Sequence, residues 1–197
     1  MKEPNRLKRI DLAFWMSLSA LVLSLILGFV SGAFAAQDNI NLTYLFLILG
    51  YFFVLLFYVG ILIGLVAIGE ILKNKLILYL AYVSGFGLIF YAAFSLGSIY
   101  FYWEIQAFPP FIYIPLIFRV LYILALIVLS ISLFILRHRL GIFASLSFMF
   151  LILGSLTSLF GLFFLQSLLF LASLIEFLAY VFVVMVLAKA RSLRYKK

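Results

Sequence analysis

The 197-residue sequence is 69% hydrophobic and only 10% charged, with a mean hydropathy of +1.35. A water-soluble fold of this size needs a polar surface that such a composition cannot supply, so the long apolar runs face lipid. The formal net charge of +8 would suggest nucleic acid in a soluble protein, but here the basic residues sit at the ends of apolar runs, where membrane orientation accounts for them and no nucleic-acid partner is expected.

Residues 1–11 form a basic polar head with Lys2, Arg6, Lys8 and Arg9, and Pro4 with Asn5 argues against an early helix. The first predicted span is 12–34. It carries Ala20, Ser24, Gly28, Gly32 and Ala36 at intervals of four, a small-residue stripe that lets another helix approach closely. The basic head, the apolar run and Ala33-Phe34-Ala35 also resemble a secretory signal with its cleavage site. The run is longer than the roughly 7–15 residues of a signal core, which favours a retained span.

A short polar loop, 37–43, contains Asp38 and the glycosylation pattern Asn41-Leu42-Thr43. That pattern abuts the next span and reads as a chance match. The second span, 42–68, has Gly60 and Gly64 four apart as a helix-packing pair. Glu70, Lys73, Asn74 and Lys75 make a charged turn before the third span, 76–102. Tyr100, Phe101, Tyr102 and Trp103 close that span as an interfacial aromatic cluster. Glu104 and Pro109-Pro110 make the next loop.

The fourth span, 111–136, holds Pro115 in its first turns, where proline is tolerated or bends the helix. Arg137-His138-Arg139 and Gly141 follow. Residues 140–175 carry no charge. As one helix, the stretch up to Ala188 would run about 70 Å, against a hydrocarbon core of about 30 Å, so the chain folds back once. Gly161 and Gln166-Ser167 are the turn candidates, giving spans at 142–164 and 168–188 and a basic tail at 189–197. The expected fold is therefore all-α: a polytopic integral membrane bundle of six transmembrane helices, with short loops and no soluble domain.

With six spans, every Lys and Arg except Arg119 falls on one side, and the opposite loops carry Asp38 and Glu104. The positive-inside pattern predicts a cell-membrane protein with both termini cytoplasmic.

The residue inventory speaks against independent catalysis. There is no cysteine, and the single histidine, His138, lies between two arginines in a turn. No metal-ligand spacing, protease constellation or phosphate-binding glycine pattern is present, and Gly85-Phe86-Gly87 reads as part of a helix face. No enzyme activity, metal or cofactor is expected.

Two charges stand out. Arg119 and Glu176 each lie eight residues into predicted spans that run the same way, about 12 Å below their starts. An unpaired charge at mid-membrane costs at least about 2.5–3.5 kcal/mol, so pairing is favoured. Three readings follow: a structural bridge that fixes helix order, the lining of a polar solute or proton site, or two unrelated charges. Glu176 shares its helix face with Ala172, Ser173, Ala179 and Tyr180; Arg119 shares its own with Pro115, Leu116, Tyr122 and Ile123. Tyr122, Ser173, Tyr180 and Pro115 are thus the candidate surrounding residues. Tyr122 is placed to donate to a carboxylate or to stack on the guanidinium. The in-span hydroxyls of Ser17, Ser84, Ser95, Ser130, Ser147 and Thr157 can return to their own helix backbone and do not by themselves define a pore.

The expected function is a non-catalytic scaffold or accessory subunit of a membrane complex, with the bilayer, other membrane subunits or a second copy as partners. The alternative is a small-solute transporter or substrate-binding membrane component using Arg119 and Glu176. A closed interior distinguishes the first, and a polar crevice reaching one membrane face the second.

Overall fold

The computed structural model describes residues 3–104, 113–163 and 167–192, with side chains over 7–97, 117–162 and 168–192. The described residues form six helices: α1 (Glu3–Ala35), α2 (Ile40–Ile71), α3 (Lys75–Glu104), α4 (Tyr113–Leu140), α5 (Ile142–Phe163) and α6 (Ser167–Ser192). All six are long and apolar enough to cross a membrane, and the chain is an all-α six-helix bundle. It is a multi-pass membrane protein whose outward apolar side chains contact lipid. Phe29, 74% exposed, is one of many large apolar residues on the outer surface. In water such a surface would drive aggregation.

Helix ends are set by local chemistry. Asn39 caps α2, its side chain accepting from the Leu42 N–H at 3.3 Å. Asn74 accepts from the N–H groups of Leu76 and Ile77 at 3.0 and 3.2 Å, capping α3. Gly141 has φ +75°, the left-handed value that ends α4 and lets α5 begin at once.

Several boundaries differ from expectation. α1 starts at Glu3, so Pro4 and Asn5 do not delay it. A proline in the first turn removes only an N–H that has no helical partner there. Asn41 and Thr43 lie in the first turn of α2, and the Thr43 hydroxyl donates to the Asn39 carbonyl at 2.8 Å. Gly161 is not a turn. It lies within α5, where an added Cβ would come 2.8 Å from Leu169 Cδ2 of α6. Its small size serves helix contact. The turn between α5 and α6, including Gln166, and the Pro109-Pro110 pair lie outside the described residues.

Consecutive helices pack side by side, and α6 closes the ring by also packing on α1. α6 reaches α2 and α4 as well. Gly60 and Gly64 sit where helices approach most closely. A Cβ on Gly60 would collide with Ser17 Oγ and lie 3.3 Å from the Ala13 carbonyl oxygen. One on Gly64 would lie 2.5 Å from Leu187 Cδ2. Glycine at both positions brings α1 and α6 against α2.

The first-span stripe divides. Ala20 is buried and Ser24 half-buried, whereas Gly28, Gly32 and Ala36 are exposed. Added Cβ atoms at Gly28 and Gly32 would meet nothing within 4 Å. At 3.6 residues per turn a four-residue interval advances the stripe by about 40° per step, so five positions rotate off the packed face. The packed face of α1 instead follows Ile10, Ala13, Ser17 and Ala20.

One end of the bundle gathers the start of α1, the α2–α3 and α4–α5 turns and the end of α6. There Arg191 bonds Asp11 at 2.7 Å and lies over Phe14 and Trp15, fastening the end of α6 to the start of α1. Arg9 pairs with Glu70 at 3.5 Å.

Candidate functional site

Glu176 faces the interior from the middle of α6 and is 5% exposed. Gly154 makes its place: a Cβ there would lie 2.8 Å from Glu176 Cγ. Both carboxylate oxygens are satisfied. Tyr122 Oη donates to Oε2 at 2.6 Å, and Ser158 Oγ donates to Oε1 at 2.8 Å.

The guanidinium of Arg119 does not meet the carboxylate directly. Its Nη2 donates to Ser158 Oγ at 3.3 Å, and its Nη1 donates to Tyr91 Oη at 3.1 Å. Its Cζ lies 5.1 Å from the centre of the Tyr122 ring. Tyr122, three residues along α4 from Arg119, is the residue that reaches the carboxylate. Ser158 fills the remaining gap.

Tyrosines extend the network. Tyr122 and Tyr180 hydroxyls are 2.6 Å apart, and Tyr180 and Tyr58 hydroxyls 3.1 Å apart. Each phenol has one proton. Tyr122 donates to Glu176, so Tyr180 donates to Tyr122 and Tyr58 donates to Tyr180. The hydroxyls of Tyr58, Tyr180 and Tyr122 thus all point toward one carboxylate. Tyr91 stacks on Tyr122 with ring centres 4.3 Å apart. The linked groups come from α2, α3, α4, α5 and α6.

Of the predicted surrounding residues, Tyr122 and Tyr180 join this network, at 3% and 8% exposure. Tyr122 both donates to the carboxylate and lies under the guanidinium. Ser173 does not join it. It is exposed on α6 and returns its hydroxyl to the Leu169 carbonyl at 2.9 Å. Pro115 is in the first turn of α4, and its side chain lies outside those described. Ser84, Ser130, Ser147 and Thr157 bond backbone carbonyls of their own helices. Ser17 departs from that pattern, since its buried Oγ finds no partner.

Sequence reasoning missed Tyr58, Tyr91, Gly154 and Ser158. The last two carried a signal. Gly154, Ser158 and Gly161, spaced four and three, form a small-residue face on α5. The tyrosines offered none, since apolar packing accounts equally well for an in-span tyrosine.

Among the described residues no group of three His, Cys, Asp or Glu side chains gathers as a metal site would. The network positions one carboxylate and one guanidinium about a shared hydroxyl. Its buried carboxylate is bonded at both oxygens, an arrangement suited to locking helices. No family model, curated protein or solved structure matches this chain.

Proposed function

We propose that this chain is a non-catalytic scaffold or accessory subunit of a membrane complex, seated in the cell membrane with both termini cytoplasmic. The observation that carries this reading is the far half of α1. Gly28 and Gly32 present open backbone to the surroundings, beside the outward Phe29. A transmembrane helix from another subunit or a second copy can approach such a surface closely. The interior offers a contrast, for Glu176 and its tyrosines are buried and bonded to one another. The orientation rests on the gathering of Lys8, Arg9, Lys73, Arg137, Arg139 and Lys189 at the end shared by the α1 start and the α6 end.

The sequence contains no cysteine, so a single introduced thiol reports one position only. Gly28→Cys and Gly32→Cys should each give a disulfide or short bifunctional cross-link to a co-purifying membrane protein or to a second copy. Met149→Cys, on the outer surface of α5, should not. A chain that extracts alone in mild detergent and cross-links to nothing from α1 would sink the proposal.

A second reading, a small-solute transporter or substrate-binding component, draws on Arg119. Both groups that accept from its guanidinium among the described residues, Tyr91 and Ser158, are neutral. Substrate-dependent flux by the purified protein in liposomes, abolished in Glu176→Gln, would favour this reading over the scaffold.

A further inference from the structure

The hydroxyls that converge on Glu176 have each placed their one proton. Tyr58 donates to Tyr180, Tyr180 to Tyr122, and both Tyr122 and Ser158 to the carboxylate. Tyr91 is different. Its hydroxyl accepts from Arg119 Nη1 at 3.1 Å, and among the described residues nothing accepts its own proton. Arg119 has the same surplus. A guanidinium carries five N–H donors, and here two are used, on Tyr91 and Ser158, leaving three. The Tyr91–Arg119 corner thus holds an O–H and several N–H donors with no acceptor among the described residues.

Charge is unbalanced at the same place. Arg9 and Arg191 each meet a carboxylate, at 3.5 and 2.7 Å. Arg119 lies within a span, and the groups it bonds are neutral hydroxyls. It also points away from the lipid-facing side of α4. Ile117 and Leu121, both exposed, are each two residues from it, about 200° around the helix. Exposure rises from the buried Tyr122 to the half-buried Arg119, one turn nearer the start of α4.

Unused donors around a positive charge suit an anion. Glu176, one hydroxyl away, repels a second negative charge, which favours a monoanion over a phosphate dianion. A carboxylate is planar and offers two oxygens to the guanidinium fork. We propose that Arg119 and Tyr91 form a binding site for the carboxylate of a small monocarboxylic acid. Arg119 meets the charge, and the Tyr91 O–H donates a further bond. The stack on Tyr122 holds the Tyr91 ring in place beside the guanidinium. The site deepens the second, solute-binding reading and rests on it, naming the class of solute.

The test is calorimetric titration of acetate into the full-length protein in dodecyl maltoside, in a buffer free of carboxylate and phosphate. Acetate should bind at one site per chain, and acetamide, its neutral isostere, should not. Tyr91→Phe keeps the ring and removes one donor, so it should weaken acetate binding at least about tenfold. Arg119→Lys keeps the charge and removes the fork, and should weaken it at least about tenfold as well. Met149→Ala, on the outer surface of α5, should leave it unchanged. Inorganic phosphate and phosphatidylglycerol are titrated in parallel. Binding of either in place of acetate, equal binding of acetamide, or equal acetate affinity in wild type and both variants would overturn the proposal, as would a wild-type chain that binds no acetate. Flux in liposomes is measured apart. Acetate bound without flux keeps the site and removes transport. Flux of another solute with no acetate bound keeps transport and overturns the site.

Discussion

Gly154 and Glu176 meet across the α5–α6 contact, with room for a carboxylate stem only because Gly154 has no side chain. The charge and the gap that holds it are on different helices. Gly154→Ala should place a methyl 2.8 Å from Glu176 Cγ and push the two helices apart. Overpacking of this kind costs about 1–3 kcal/mol. Gly28→Ala meets nothing and replaces a poor helix former with the best one, so in the isolated chain it should be neutral or stabilising by up to about 1 kcal/mol. Thermal unfolding of both variants in one detergent checks the contrast, and equal midpoints would contradict it.

Tyr122 ties four side chains together: it donates to Glu176, accepts from Tyr180, stacks on Tyr91 and lies under Arg119. Tyr122→Phe keeps the ring and removes the hydroxyl. Losing a buried hydrogen bond to a charged group should destabilise by about 1.5–3 kcal/mol. Tyr79→Phe, on the outer surface, should change stability by less than about 0.5 kcal/mol. Chemical unfolding monitored by circular dichroism gives both values.

Ser158 links the half-buried Arg119 to the buried Glu176. Ser158→Ala and Arg119→Met should therefore not add. Their coupling should fall in the range of about 0.5–3 kcal/mol seen for residues within one network. A double-mutant cycle on unfolding free energies measures it, and additivity within about 0.3 kcal/mol would argue that Arg119 stands apart from the carboxylate.

Gly141 has the left-handed φ of +75° between α4 and α5. Gly141→Ala should cost about 1–2 kcal/mol, although nothing lies within 4 Å of the added methyl. The strain is in the backbone, so Gly141→Asn should recover part of the loss in the same unfolding assay.

Much of this architecture was legible from residue order. Apolar run lengths gave six helices, and the small and aromatic neighbours of Glu176 on its own helix gave the side that faces protein. Its principal partner was also within reach, since Tyr122 was named beside Arg119. The register between helices was not legible. Tyr122 rather than Arg119 meets the carboxylate, and Ser158 of α5 bridges the guanidinium to it. The first-span stripe is a different case. The 40° advance per four-residue step is implicit in helix geometry, and counting it would have sent Gly32 and Ala36 off the packed face.

The acceptors of the polar centre arrive with α6. α6 brings Glu176 and Tyr180, and without it Tyr122, Tyr58 and Ser158 lose their shared acceptors. During synthesis the first five helices therefore carry an incomplete polar centre, with Arg119 lacking its counter-charge. Insertion of α6 supplies the acceptors and the negative charge together, and Asp11 then clasps Arg191 to close the ring. A chain stopped before Ser167 has every small-residue contact among its first five helices and still lacks a satisfied interior. Arrival of α6 and completion of the polar centre are one event, which gives membrane quality control a single feature by which to tell a bundle with α6 from one without it.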